Sequence, residues 1–274
     1  MHLGHGEEIL RCQQCTLLVR IPIPPEETIT GWYRDVYWNH YRDEPLRSKR
    51  SNVYIHAMAW IEQLHPKPGI LVDVGCGSGA FLALCQKRGW MGLGFDPSTQ
   101  AVTLARALGL EVRCSSFLPC NLADETTDVV TFINVLDHLR NPIGALQEAW
   151  RILRPNGLIY IRVPNGPFHV WLMSLWSAVE LRHMAVFHLF GFGRSAFLYH
   201  LSRLGFEVAE IRTAPPSSDD SFAQLGPRMA LFGRSLKVAG HLAYQLLVGL
   251  GLDRKAWGPS IEVIAFKAHP NSST

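Results

Sequence analysis

The stretch LVDVGCGSGAFL, residues 71–82, decides the fold of this chain. Residues typical of a β-strand run into a turn that contains three glycines, and an apolar segment with helical spacing follows. A strand that turns sharply into a helix needs glycine where its backbone comes close to a ligand, because a Cβ atom would be in the way. We therefore expect a bound ligand at this turn.

The alternation of strand and helix continues along the chain. Apolar, β-rich runs at 70–76, 92–96, 110–116, 128–135 and 157–165 alternate with segments of helical period at 79–89, 98–109 and 142–157. Near-continuous apolar strands between helices predict a parallel sheet covered on both faces. Two further strands at 206–214 and 260–268 predict that the sheet ends in a hairpin interrupted by residues 215–259.

The glycines alone leave two kinds of ligand open. The segment GCGSGA fits the loosened dinucleotide pattern G-x-G-x-x-A as well as G-x-G-x-G. In either case Asp96, at the end of the next strand, can accept hydrogen bonds from two ribose hydroxyls. Asp73 discriminates between them, because a carboxylate at this place repels a pyrophosphate but favours a ligand with an ammonium and a sulfonium. That chemistry indicates S-adenosylmethionine.

Three ordered segments carry a family resemblance. They are DVGCGSG at 73–79, FDPS at 95–98 and DVVTFINVLDHLRNPIGALQEAWRILRPNGLIYIRVPN at 128–165. Together they resemble the class I S-adenosylmethionine-dependent methyltransferases, over roughly residues 70–212 with the closing strand at 260–268. The resemblance implies a Rossmann-like α/β fold, in which a mostly parallel sheet with an antiparallel last strand has helices on both faces.

The resemblance also assigns cofactor-binding positions. It implies that Asp96 binds the ribose, that Pro97 flanks the adenine and that Asn134 faces the methyl group. Ser116 and Phe117 match the adenine-edge position, which is an acid in many relatives. The residues implied to line the methionine part of the cofactor are Asp73, Gly75, Cys76, Gly77 and Gly79.

A candidate for the catalytic residue follows the fourth strand. His138, in the segment LDHL, is predicted at the carboxyl edge of the sheet, as are Asn165 and His169 after the fifth strand. A general base helps methyl transfer only when the acceptor must lose a proton, and His138 is the best candidate for that role. The alternative is that Asp137 and His138 form a structural pair that fixes the loop.

The N-terminal segment contains a Cys pair. Residues 11–41 resemble the front of one methyltransferase subgroup, in which a small zinc ribbon precedes a Pro-rich turn and a tyrosine-rich helix. Cys12 and Cys15 supply two of the four ligands that tetrahedral zinc needs, and His2 and His5 could complete the set. The first Cys pair of the subgroup is absent and Thr16 replaces a turn glycine, so the sequence favours a metal-free remnant. Three tyrosines share one predicted helical face that would close over the cofactor: Tyr33, Tyr37 and Tyr41.

The chain divides into a methyltransferase domain with additions. We predict an N-terminal Cys-pair segment and cap helix at 1–50, and the cofactor-binding domain at 51–214 and 258–269. A lid-like insertion at 167–192 lies within that domain, and a loop with an amphipathic helix occupies 215–257. The lid contributes Trp171, Trp176, His183, Phe187 and His188, whose aromatic spacing favours core packing over an acceptor-binding role.

The predicted helix at 226–251 is basic and amphipathic. It contains Arg228, Arg234, Lys237 and His241 and no acidic residue. The opposite face carries Phe232, Leu236, Ala239, Ala243, Leu246 and Leu250. Such a helix can lie on an anionic membrane surface, or its apolar face can pack on the domain or on a second subunit.

Composition limits the function classes. With 274 residues, 47% hydrophobic and 18% charged, the chain is long enough for one large domain, and its net charge of +3 is too small for a nucleic-acid binder. The N-terminal residues lack an export signal, so we expect a cytoplasmic protein. Peripheral membrane contact through 226–251 is the alternative to packing of that helix, which the sequence favours.

The sequence predicts methyl transfer to oxygen or carbon of a small-molecule acceptor such as a quinone precursor, a polyketide or a sugar-linked intermediate. One alternative is a non-catalytic adenosine-binding partner subunit. The other is a nicotinamide-dependent oxidoreductase, which Asp73 disfavours.

Overall fold

The computed structural model describes residues 2–4, 7–32, 51–176, 188–217 and 227–268. The N-terminal part forms β1 (His2–Gly4), β2 (Glu7–Arg11), β3 (Leu18–Ile21) and α1 (Glu26–Trp32). The first half of the central domain contains α2 (Ser51–Leu64), β4 (Ile70–Val74), α3 (Ala80–Lys87), β5 (Met91–Asp96), α4 (Thr99–Ala107) and β6 (Glu111–Cys114). Tyr33, Tyr37 and Tyr41 lie outside the described residues.

The second half of the chain completes the fold. It contains β7 (Thr127–Ile133), a 3-10 turn (Leu136–His138), α5 (Pro142–Ile152), β8 (Leu153–Pro164), α6 (Gly166–Trp176) and β9 (Phe190–Gly191). These elements are followed by α7 (Arg194–Arg203), β10 (Phe206–Thr213), α8 (Pro227–Gly249), a 3-10 turn (Asp253–Lys255) and β11 (Ser260–Lys267).

The central sheet has seven strands in the order β10-β11-β8-β7-β4-β5-β6. The pairs β4–β5, β4–β7, β5–β6 and β7–β8 are parallel, whereas β11 runs antiparallel to both β8 and β10. This arrangement confirms the predicted α/β sheet with an antiparallel last strand and its interrupted closing hairpin.

The core has one apolar layer on each face of this sheet. Val72, Val74 and Ile161 point to the layer under α5 and α7. Leu71, Leu158 and Tyr160 point to the layer under α2, α3 and α4. Because successive strand residues face opposite sides, a strand buried on both faces needs apolar residues at nearly every position.

The helix predicted at 142–157 is shorter than expected. It begins as predicted, with Pro142 at its first turn and the Asn141 side chain accepting a hydrogen bond from the Gly144 N–H at 2.9 Å. It ends at Ile152, and Leu153 already pairs with Thr127 of β7. Pro155 explains the early end, because proline disfavours a helical conformation of the residue before it.

A second sheet, with the strand order β1-β2-β3-β9, was not predicted from the sequence. Residues Leu18 and Val19 of β3 pair with Gly191 and Phe190 at the end of the predicted lid. The N-terminal segment and the end of the lid are therefore joined by backbone hydrogen bonds.

The helix α8 exposes an apolar stripe. Val238, Leu242, Leu246 and Leu250, which recur every four residues, are each more than 60% exposed. Ala239 and Ala243 are exposed as well, so the described part of the predicted apolar face does not pack on the domain. None of the helices in the described ranges is both long and apolar enough to span a membrane.

Candidate functional site

The glycine turn joins β4 to α3 at the carboxyl edge of the sheet. Gly75, Gly77 and Gly79 have φ values of +70°, +56° and +80°, in the left-handed region that favours glycine. A Cβ atom on Gly75 would lie 2.5 Å from Cγ2 of Val135, so a larger residue does not fit there. The turn is further held by β5, because the N–H groups of Gly75 and Cys76 donate to the Phe95 carbonyl.

Asp96 links this turn to the end of β5. One carboxylate oxygen accepts the Gly77 N–H and the other accepts the Ser98 N–H, both at 2.9 Å. Burial raises the pKa of Asp96, while the two hydrogen bonds oppose that rise. Each oxygen of a carboxylate can accept a second hydrogen bond, so the geometry leaves capacity for two ribose hydroxyls.

Asp73 lies one strand away on β4 and is only 3% exposed. It accepts a hydrogen bond of 2.6 Å from the hydroxyl of Thr131 on β7. Burial raises the pKa of Asp73 to about 7; the Thr131 hydrogen bond opposes this change and the charge of Asp96 adds to it. The same negative charges that disfavour ionisation of Asp73 would stabilise a positive ligand beside it.

The adenine-edge positions have different surroundings. Pro97 and Ser116 are half-buried. Phe117 lies in the core, with its ring edge-on to Phe95 at 5.4 Å and to Phe132 at 5.9 Å between ring centroids. The ring of Phe117 therefore supports the strands β5 and β7, and the assigned contact with adenine stays a prediction.

Asn134 directly follows β7 and has a left-handed conformation with φ +57°. Its N–H donates to the Arg162 carbonyl at 2.7 Å, and its side-chain oxygen accepts a hydrogen bond from the Arg162 guanidinium. Arg162 is buried on β8 and also donates to the Pro215 carbonyl at 3.0 Å. This arginine was not predicted as a site residue, although a charge inside the apolar run IYIRVP, residues 159–164, is a signal of a special role.

The turn after β7 brings His138 beside two other polar residues. Its Nε2 atom lies 3.7 Å from Oδ2 of Asp137, and the rings of His138 and His188 are 3.7 Å apart. Asp137 is 1% exposed, and burial raises its pKa to about 7. The role of His138 as a base and its role in a structural pair both stay predictions.

The other residues predicted at this edge make structural contacts. The Asn165 side chain donates to the Ala256 carbonyl, and the His169 ring contacts the Pro259 carbonyl at 2.8 Å. Burial lowers the pKa of His169. Both residues therefore anchor the segment before β11.

Part of the predicted lid lies outside the described residues, including His183, Phe187 and the side chain of Trp176. Trp171 is described and contacts Phe168 and Trp257 at 5.6 and 5.8 Å between ring centroids. Trp171 and Trp257 are exposed, so the core packing favoured by the sequence is wrong for Trp171.

The Cys pair forms a tight turn. The Thr16 N–H donates to the Cys12 carbonyl, and Thr16 adopts φ +62°, a left-handed conformation that favours glycine. Cys12 is exposed and Cys15 is buried. Among the described residues, neither cysteine lies close enough to two further His, Cys, Asp or Glu side chains to share a metal ion with them. The side chains of His2 and His5 lie outside the described part of the chain. The preference for a metal-free remnant stays a prediction.

The site fits S-adenosylmethionine in three respects. The glycine turn lets the backbone come close to a ligand, Asp96 can accept from a ribose, and the paired acids favour the positive charges of the methionine part. Fold and site thus define a class I S-adenosylmethionine-dependent methyltransferase.

Sequence comparison identifies the family. The profile of the family described as "Methyltransferase domain" matches residues 38–211. The chain belongs to this methyltransferase family, whose cofactor is S-adenosylmethionine.

Two curated relatives have related descriptions. A protein of Mycolicibacterium smegmatis, described as an S-adenosylmethionine-dependent methyltransferase, is 27% identical over 184 residues, covering 62% of this chain and 66% of the relative. A ubiquinone biosynthesis O-methyltransferase of Colwellia psychrerythraea is 28% identical over 137 residues, covering 46% of this chain and 56% of the relative. The chain thus spans between about half and two thirds of the length of these relatives.

Solved structures share the fold. A methyltransferase of Archaeoglobus fulgidus has a TM-score of 0.54 and 20% identity, covering 85% of this chain and all of that chain. A geranyl diphosphate C-methyltransferase of Streptomyces coelicolor has a TM-score of 0.51 and 15% identity, covering 77% of this chain and 79% of that chain.

Proposed function

We propose that this protein transfers a methyl group from S-adenosylmethionine to an oxygen or a carbon of a small-molecule metabolite. The observation that carries the proposal is the pair Asp73 and Asp96 at the glycine turn, because their charges suit a sulfonium ligand and repel a pyrophosphate. The O-methyltransferase relatives support a small-molecule acceptor such as a quinone precursor. A polyketide or a sugar-linked intermediate has the same kind of nucleophilic atom.

The residues of this chain would act mainly by alignment. S-adenosylmethionine supplies an electrophilic methyl group, and the reaction is an in-line displacement that depends on orientation and on exclusion of water. Asn134 is fixed by Arg162 at the end of β7, and His138 follows it by four residues. Both residues lie where the carboxyl edge of the sheet would receive the acceptor.

The test is turnover of the labelled methyl group. The full chain is incubated with methyl-labelled S-adenosylmethionine and fractionated metabolite pools, and we expect a fraction that gains the mass of one methylene. A chain that binds the cofactor but labels no fraction would contradict the proposal and favour the non-catalytic partner subunit. The matched control is the Asp96→Ala chain, which should label less of the same fraction.

We also propose that α8 rests on an anionic membrane surface and brings the site to a lipophilic acceptor. The exposed stripe Val238, Leu242, Leu246 and Leu250 supplies apolar contact area. The sequence of the helix supplies positive charge without any acid, and this combination is typical of interfacial helices. The exposed Trp257 follows the helix, and tryptophan favours membrane interfaces.

Sedimentation with vesicles tests this contact. We expect the protein to pellet with anionic vesicles at low salt, less so at high salt, and much less after the double substitution Leu242→Glu and Leu246→Glu. The control Leu108→Glu changes an equally apolar, exposed residue on another surface and should leave binding intact. Failure to pellet at low salt, or equal pelleting of the double variant, would contradict the proposal.

A further inference from the structure

Three side chains with metal-binding atoms meet at the edge of the sheet. Asp137 and His138 belong to the 3-10 turn after β7, and His188 precedes β9. The Nε2 atoms of the two histidines lie 3.7 and 3.8 Å from the same oxygen, Oδ2 of Asp137. All three ligand atoms lie within 4.8 Å of one another. Among the described residues, no other group of three His, Cys, Asp or Glu side chains is as closely spaced.

Asp137 gives an independent reason to expect an ion. Its carboxylate is almost fully buried, and within the described part of the chain no other residue donates a hydrogen bond to either oxygen. Its own backbone N–H and the charge of Arg162 oppose the rise of its pKa, but burial outweighs them. Buried carboxylates in proteins are ordinarily hydrogen-bonded, paired with a charge or bound to a metal ion. The Nε2 atoms of the two histidines are too far from Asp137 for a direct hydrogen bond, but both lie near the same carboxylate oxygen, Oδ2.

The spacing suits a shared ion. Ligand atoms bound to tetrahedral zinc at about 2.0–2.1 Å lie about 3.4 Å apart, which is close to the two distances from Asp137. The backbone already holds the two segments together, because the Leu189 N–H donates to the Asp137 carbonyl at 3.1 Å. The pairing of β9 with β3 holds His188 from the other side.

We propose that Asp137, His138 and His188 bind one divalent transition-metal ion, with Zn²⁺ the best fit. Two imidazoles and one carboxylate suit zinc, cobalt and similar ions, whereas magnesium and calcium prefer oxygen ligands alone. Three protein ligands leave a fourth position open. That position can take an oxygen of the acceptor, and this last step rests on the proposed methyl transfer, whereas the binding of the ion does not.

The ion changes the role of His138. A nitrogen that binds the metal cannot also accept a proton from the acceptor, so Nε2 of His138 is either a ligand or a base. A metal-bound hydroxyl loses its proton more easily, because the positive ion stabilises the oxyanion. The ion therefore supplies the activation that His138 would otherwise have to supply.

Cobalt is the probe for this site, because Co²⁺ replaces Zn²⁺ and has visible absorption that reports its ligands. The untagged full chain carries Cys12→Ser and Cys15→Ser, which remove the other candidate ligands of this type. This chain is titrated with Co²⁺ and then with Zn²⁺ in competition. We expect one bound Co²⁺ per chain, displaced by Zn²⁺, and affinity lower by at least about tenfold in His188→Ala and in Asp137→Asn.

The controls separate binding from folding and from catalysis. His65→Ala removes a histidine whose ring contacts the Lys67 carbonyl in another loop, and it should bind Co²⁺ like the parent. Calorimetry with S-adenosylmethionine shows that each variant keeps its cofactor site, so a failed metal site and a failed methyltransferase are distinguishable. Absence of Co²⁺ binding, or equal affinity in His188→Ala and the parent, would overturn the proposal.

Discussion

Replacing His138 by alanine is expected to lower the rate of methyl transfer by about a hundredfold or more, with little change in the affinity for S-adenosylmethionine. The ring lies in the turn after β7, beside the buried Asp137 and the ring of His188. Loss of the ring removes the activation of a hydroxyl acceptor, whether the histidine acts as a base or as a metal ligand. Steady-state turnover and calorimetry of the same preparation measure the two quantities.

The control for this substitution is His65→Ala, which changes a histidine outside the site and should keep the parent rate. An unchanged rate in His138→Ala would assign His138 to the structural pair with Asp137. If the rate falls, the cobalt titration decides between the base and the ligand, because only the ligand role makes cobalt affinity depend on His138.

Replacing Asp96 by alanine is expected to weaken S-adenosylmethionine binding by about 1 to 3 kcal/mol. The carboxylate would accept hydrogen bonds from the ribose hydroxyls, and it also accepts the Gly77 N–H at 2.9 Å. The substitution therefore removes a ligand contact and loosens the turn together. Calorimetric titration with the cofactor measures the change.

Two variants make this measurement selective. Asp96→Asn keeps the size of the side chain and one acceptor oxygen, so we expect a smaller loss than with alanine. Asp124→Ala removes a highly exposed acid far along the sequence and should bind the cofactor like the parent. Equal affinity in Asp96→Ala and Asp124→Ala would contradict the assignment of Asp96 to the ribose.

The central sheet was predictable because its strands are buried on both faces. Runs such as residues 70–74 are apolar at nearly every position. The three glycines mark the turn in the sequence, because its left-handed conformations favour glycine. The end of α5 was predicted too late, because the helical pattern was extended past Pro155, whereas the helix ends at Ile152 and Leu153 already pairs with Thr127.

The second sheet could not be predicted from local patterns. Its strand β9 has two residues, and its partner Leu18 lies more than 170 positions away from Gly191 in the sequence. Such a pairing depends on the packed structure and not on the propensity of two residues. The same pairing brings His188 beside Asp137, so the proposed metal site was also invisible in the sequence.

The burial of charged side chains was also not predictable from the sequence. Glu262 is fully buried and accepts hydrogen bonds from Tyr160 at 2.8 Å and from Arg212 at 2.7 Å. The guanidinium of Arg212 also lies 3.6 Å from the ring centroid of Trp60. Each charge is compensated only by residues from other elements, so burial cannot be inferred from any one strand.

The central claim is that the acidic glycine turn selects S-adenosylmethionine over a dinucleotide. Calorimetric titration of the purified full chain with S-adenosylmethionine, with its demethylated product and with NAD tests this claim directly. We predict saturable binding of the first two ligands and no heat of binding with NAD, because the carboxylate of Asp73 repels a pyrophosphate. Tighter binding of NAD than of S-adenosylmethionine would contradict the account.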